Sequence, residues 1–145
     1  MQVKEIMTHG IDFLDRLDTV QKAAQKMLRD NIGALPVFDS NFLVGIVTDR
    51  DITLRSSSFG KDPMKTRVCD IMTPEVFVCD QNDTIEEAAS IMENRQVRRL
   101  LVTNEQKHIV GMVSLTDLAK GFNKELAAEV LKKVSSPAHP EWLTH

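Results

Sequence analysis

The chain has 145 residues, 42% of them hydrophobic and 27% charged, with a formal net charge of −3. That balance suits a globular protein with a sizeable core, and it offers no bulk positive charge for nucleic acid or an anionic membrane surface. No apolar run approaches the roughly 18 residues needed to cross a bilayer, and Met1-Gln2-Val3-Lys4-Glu5 lacks the apolar stretch of a secretory signal, so a cytoplasmic location is expected.

In chain order, Val3, Ile6, Met7 and Thr8 open the sequence, and residues 11–14 form a short extended segment. Asp18, with Gln21 three places on, marks a helix start. Val20, Ala23, Ala24, Met27 and Leu28 then follow helical spacing. Two strands are expected at residues 35–38 and 42–48, joined by the turn residues Asp39-Ser40-Asn41, with a second helix from about Asp49. Residues 56–63, rich in serine and ending in Pro63, read as a linker that could also cover part of a binding cleft.

The same pattern then runs again. At a shift of 65, Val3, Ile6, Met7 and Thr8 fall on Val68, Ile71, Met72 and Thr73. Asp15, Asp18, Thr19, Ala23, Ala24, Met27, Leu35 and Val37 likewise fall on Asp80, Asp83, Thr84, Ala88, Ala89, Met92, Leu100 and Val102. One residue enters the second copy, and at a shift of 66 Gly45, Val47 and Asp51 fall on Gly111, Val113 and Asp117. Identity in a fixed order at dispersed positions marks a duplication. The second copy has an extended segment at 76–79, a helix start at Asp83 with Glu86, strands at 100–103 and 109–114, and a helix from Leu115. The fold class is therefore α+β, two β-α-β-β-α repeats, with boundaries at 1–56, a linker 57–67, and 68–121. Residues 122–145 make a C-terminal helix and loose tail, the helical pattern running over 119–134. Trp142, beside Pro137 and Pro140, is either a tail residue or an anchor against a partner. A repeat this small cannot bury both faces of its sheet and helices, so the two are expected to pack by pseudo-twofold symmetry with clefts between them.

Catalytic signatures are missing from the sequence. It has no GxGxxG among its six glycines, no Ser/His/Asp order and no Cys–His pairing. His9, His108, His139 and His145 are scattered and give no metal motif, and Cys69 and Cys79, outside any CxxC, read as reduced structural thiols. Arg95, Arg98 and Arg99 alone would speak for nucleic acid, too little for an acidic chain.

Two turns carry chemistry. Thr48-x-x-Asp51 and Ser114-x-x-Asp117 each stand where a strand runs into a helix. A hydroxyl and backbone N–H groups there suit a phosphate, and a carboxylate one turn in accepts from both hydroxyls of a ribose. The same spacing is also an ordinary helix cap. Arg98 and Arg99 precede the second repeat's strand, where the first has Gly33 and Ala34, so the two clefts are expected to be unequal; a solvated basic pair, or a salt bridge to Glu93 or Asp70, is the alternative. Arg50 and Arg55 lie near Asp51, with Arg55 expected at the surface.

These residues resemble the CBS-domain pair. The resemblance rests on Val-x-x-Ile-Met-Thr at each opening, Asp-Thr-[Val/Ile] before each first helix, Ala34-Leu35-Pro36-Val37, Gly45-Ile46-Val47-Thr48-Asp49-Arg50-Asp51-Ile52, and Gly111-Met112-Val113-Ser114-Leu115-Thr116-Asp117-Leu118. It spans about residues 1–120. Leu101 replaces the proline that the pattern expects, which should alter the backbone slightly. The resemblance implies a non-catalytic regulatory module, a homodimer through the repeat helices, acting on an unknown protein partner. It implies an adenosine-containing ligand (AMP, ADP, ATP or S-adenosylmethionine) and no required cofactor. One cleft would draw on Ser114, Thr116, Asp117, Arg98 and Arg99 with Thr8 and Ile11 from the opening segment. The other would draw on Thr48, Asp51 and Ala34 with Thr73 and Val76. Some such pairs bind no ligand and serve as structural or adaptor dimers, the alternative function.

Overall fold

The structure is a computed structural model that describes residues 1–121 and 124–135. The expectations about the tail beyond residue 135, Trp142 among them, lie outside the described residues. The strands are β1 (Thr8–His9), β2 (Leu14–Asp15), β3 (Ala34–Asp39), β4 (Phe42–Thr48), β5 (Val78–Asp80), β6 (Arg99–Thr103) and β7 (Ile109–Ser114). The helices are α1 (Val20–Asp30), α2 (Asp49–Asp51), α3 (Ile85–Arg95), α4 (Leu115–Gly121) and α5 (Lys124–Val134). After α2 the chain widens into a π-type turn over Ile52–Ser56. The expected mixed α+β architecture of two repeats is what forms.

The compact units do not coincide with the sequence repeats. One unit is Gly10–Val76; the other joins Met1–His9 to the described residues from Phe77 onward. In the first, β2, β3 and β4 form a sheet in that order, β2 parallel and β4 antiparallel to β3. Its core of Leu14, Val20, Ala23, Leu35, Val37 and Val47 is completed by Val68 and Ile71, which open the second repeat in sequence. In the other unit the sheet runs β1-β7-β6-β5. There Val3 and Met7 join Ile85, Met92, Leu100 and Val113 in the core. Each repeat's opening apolar residues thus close the other repeat's core.

Two equivalent glycines make this closure possible. A Cβ on Gly111 would stand 2.4 Å from the Thr8 carbonyl oxygen, and one on Gly45 would stand 2.8 Å from that of Thr73. Those separations are far inside contact distance, so only glycine lets the opening segment lie directly on the strand. The backbone pairing is the same in both places: Thr8 opposite Met112, and Thr73 opposite Ile46.

The helix caps correct one expectation. Thr19 and Thr84, not Asp18 and Asp83, cap α1 and α3, their hydroxyls accepting from Lys22 N (3.2 Å) and Glu87 N (3.1 Å). The aspartates are engaged one turn earlier, where Asp18 accepts from Asp15 N (2.9 Å) and Asp83 from Asp80 N (3.0 Å). The expected linker packs on the start of α1: the Pro63 carbonyl, and that of Thr66 just beyond residues 56–63, accept from Gln21 N and Val20 N, serving N–H groups that a helix start leaves without partners. Within the expected helical pattern over 119–134, the described residues form α4 up to Gly121 and α5 from Lys124.

Leu101 also has a visible consequence. Its N–H donates to the Phe77 carbonyl (3.1 Å), and β5 pairs with β6 over three residues, from Val78 to Asp80. In the first unit Pro36 stands at that position and has no N–H to give, and β2 is confined to two residues. Among the described residues no helix is long and apolar enough to cross a membrane.

Candidate functional site

Both Ser/Thr-x-x-Asp turns form reciprocal caps. Thr48 Oγ1 accepts from Asp51 N (3.0 Å) while Asp51 Oδ2 accepts from Thr48 N (3.0 Å). Ser114 Oγ accepts from Asp117 N (3.2 Å) while Asp117 Oδ2 accepts from Ser114 N (2.8 Å). The residue just before β3 or β6 is tied to each turn in the same way, Asp49 N donating to the Gly33 carbonyl and Leu115 N to that of Arg98 (both 2.9 Å). The ordinary capping geometry is therefore present in both turns, and they differ in what else reaches the carboxylate.

In the Gly10–Val76 unit Asp51 is buried, at 7% exposure. Thr73 Oγ1 donates to its carboxylate at 3.2 and 3.3 Å. Arg55 Nε stands 3.8 Å from Asp51 Oδ1, and Arg55 Nη1 donates to the Met72 carbonyl at 3.0 Å. The expectation of a surface Arg55 is thus overturned: its place one helical turn beyond Asp51 turns the guanidinium onto the carbonyl groups of the closing segment. Ala34 is buried at the start of β3. Val76 is half-buried, and Arg50 is exposed.

In the other unit the expected residues border open space. A cavity of about 510 Å3 is lined by Arg98, Arg99, Ser114 and Thr116, and α5 supplies a further wall that includes Lys124 and Leu131. Its size falls within the roughly 300–1,000 Å3 range of small-molecule sites. Arg98 Nη2 donates to Ser135 Oγ at 3.3 Å. Glu93, offered as an alternative partner for the arginines, accepts from Lys133 Nζ at 3.0 Å. Asp117 is half-buried; Ser114 and Thr116 of its turn line the cavity, and Asp117 is not among the lining residues. Thr8 is exposed in β1 against Met112. Ile11 belongs to the other compact unit.

The α5 wall and the inward turn of Arg55 escaped the sequence reading. The spacing of Arg55 from Asp51 was a usable signal, because residues four apart share a helix face. Lys124 had none, since it follows the last repeated position. Outside the two turns, burial pushes the Cys79 thiol up to about 12, with the nearby Asp83 and Asp80 adding to the effect. The Arg29 guanidinium leads in holding the Asp12 carboxyl at about 2, with Lys26 assisting.

The CBS domain family matches twice, over residues 3–57 and 68–124. The CBS domain-containing protein YhcV of Bacillus subtilis is 37% identical over 134 residues, 92% of this chain and 94% of the relative. Hypoxic response protein 1 of Mycobacterium tuberculosis is 33% identical over 135 residues, with the same coverage of 92% and 94%. A solved structure of Hypoxic Response Protein I holds two coordinated zinc ions; it superposes with a TM-score of 0.71 at 33% identity, over 85% of this chain and all of that one. Among the described residues of this chain, no three His, Cys, Asp or Glu side chains cluster as a metal site would require. A CBS domain pair solved with 5′-methylthioadenosine and S-adenosyl-L-methionine has a TM-score of 0.73 at 24% identity, over 85% of this chain and all of that one, which establishes likeness of fold.

Proposed function

Because the chain belongs to the CBS-domain family and carries two repeats in tandem, we propose that it is a non-catalytic regulatory module that binds an adenosine-containing ligand of the AMP, ADP or ATP kind and signals through a dimer. The observation that carries this reading is the cavity that brings Arg98 and Arg99 to the Ser114-x-x-Asp117 turn. Guanidinium groups are planar forks of donors matched to phosphate oxygens. In this reading Asp117, outside the lining but in the same turn as Ser114 and Thr116, turns to the ribose when the ligand binds, since Ser114 N uses only one of the roughly four lone-pair positions of its carboxylate. Arginine, lysine, serine and threonine bind anions but include no base suited to neutral pH, in keeping with binding rather than turnover.

The two sites are unequal in this reading. Asp51 already serves Thr48, Thr73 and Arg55, so the ligand goes first to the Arg98–Arg99 site. The methylthioadenosine and S-adenosylmethionine bound by the related pair carry no phosphate. The two arginines here favour a ligand that does. Pairing with a second copy through the repeat helices belongs to the same proposal, and Leu28, 84% exposed on α1, is an apolar side chain that such pairing would cover. The ligand-free adaptor reading draws support from the internally satisfied Asp51 alone.

Titration calorimetry with AMP, ADP, ATP, NAD and S-adenosylmethionine tests the proposal. At least one phosphate-bearing ligand should give heat that is lost in an Arg98→Ala/Arg99→Ala double variant. No heat from any of the five at millimolar concentration would overturn it.

A further inference from the structure

The proposed ligand cavity has a wall that lies almost entirely beyond the repeat. The second CBS match ends at residue 124, and α5 runs on from Lys124 to Val134. This helix is built into its unit: Val130 is fully buried and Ala127 nearly so, with Leu126 and Val134 packed on the same core. Lys133 ties it to α3 through Glu93. A helix held in this way presents its remaining residues at fixed positions, and Lys124, Ala128 and Leu131 line the cavity.

The charge of that lining is one-sided. Arg98 and Arg99 come from the start of β6 and Lys124 from the start of α5, and no carboxylate is among the described lining residues. Three cationic side chains around one cavity favour an occupant that carries several negative charges. Arg98 meanwhile donates to the Ser135 hydroxyl, a neutral acceptor at the far end of α5. A phosphate oxygen in its place makes a charge-assisted bond of roughly twice the strength.

We propose that Lys124 is a specificity-determining residue, and that it makes this cavity a site for a nucleoside di- or triphosphate in preference to a monophosphate. A single phosphate satisfies the pair of arginines at the entry to β6. A chain of two or three phosphates also reaches the cation that α5 contributes. The inference rests on the nucleotide reading above and adds the length of the phosphate chain to it.

The test is calorimetry on the full chain with adenosine, AMP, ADP and ATP, for the wild type, Lys124→Gln and Lys124→Arg. Lys124 is exposed, so both variants should melt at the wild-type temperature. The wild type should bind ADP or ATP about tenfold more tightly than AMP, and Lys124→Gln should remove most of that gap while leaving AMP affinity in place. Lys124→Arg should restore it. Equal affinity for AMP and ATP in the wild type, or a uniform loss for every nucleotide in Lys124→Gln, would overturn the inference and leave the nucleotide reading standing. Silence from all four compounds would defeat that reading, and this inference with it.

Discussion

The two compact units share one backbone plan and differ in where the arginine stands. In the Gly10–Val76 unit it is Arg55, on the wide turn after α2, where it faces Asp51 and the carbonyl groups of residues 71 and 72. At the shift of 66 its counterpart is Gly121, which has no side chain. In the other unit the arginines are Arg98 and Arg99 at the start of β6, and their counterparts are Gly33 and Ala34. A Cβ on Gly33 would meet the Asp49 carboxylate at 3.0 Å, whereas Arg98 faces a repeat in which Leu115 takes the place of Asp49. One turn, the reciprocal Ser/Thr–Asp cap, thus serves two purposes. With a cation supplied from its own helix, the carboxylate becomes part of a clamp on the closing segment. With cations supplied from the strand start, the same turn borders a cavity.

The largest effects should come from the feature that both units share. Gly111→Ala pushes a Cβ into the Thr8 carbonyl and should cost about 3 kcal/mol, with Gly45→Ala somewhat less, because its closest contact is the flexible Met72 side chain. Urea unfolding of the two variants measures this, and wild-type midpoints would refute the crossed closure of the cores. The next effect separates the units. Asp51→Ala loses a cap, takes the carboxylate acceptor from Thr73 Oγ1 and removes the ion pair with Arg55, at about 2 kcal/mol, whereas Asp117→Ala loses only the cap, at about 1 kcal/mol. Ligand affinity should follow the opposite order, so equal stability losses paired with equal affinity losses would erase the proposed division of labour.

A smaller change should sharpen it. Arg55→Gly installs what the other repeat carries and should release Asp51, adding a weaker second binding event in calorimetry. No second event would mean that Arg55 is not what closes that site. The smallest effect is chemical. With its thiol raised to about 12, Cys79 holds almost no thiolate at pH 8, so iodoacetamide should label the half-buried Cys69 first. Mass spectrometry of the tryptic peptides reads the order, and prior labelling of Cys79 would contradict its burial.

Much of this fold was legible because duplication prints the same residue twice at positions that packing constrains. The strand pair Phe42–Thr48 and Ile109–Ser114 and the helix starts at Asp49 and Leu115 follow the reading closely. The caps slipped by one residue, because Asp18-Thr19 and Asp83-Thr84 each offer two capping side chains and local sequence does not say which is taken by the preceding turn. The repeated Gly45 and Gly111 were visible, but not their reason, which lies in segments 28 and 103 positions away: Gly45 against Thr73, and Gly111 against Thr8. Arg55 was legible as a neighbour of Asp51 but not as an inward one, and Lys124 carried no repeated position to mark it. What makes each of them matter is a tertiary neighbour, the closing segment for one and a cavity wall for the other. Periodicity reports which face of an element is buried, not which distant element lies against it.

The central claim is that the nucleotide belongs to the Arg98–Arg99 unit before it belongs to the Asp51 unit. Binding stoichiometry tests it most directly, by titrating ATP or ADP into the wild type, Asp51→Ala and Asp117→Ala. The account predicts one high-affinity ligand per chain, kept in Asp51→Ala and lost in Asp117→Ala. Two equivalent ligands per chain, or loss on substituting Asp51 with retention on substituting Asp117, would contradict it.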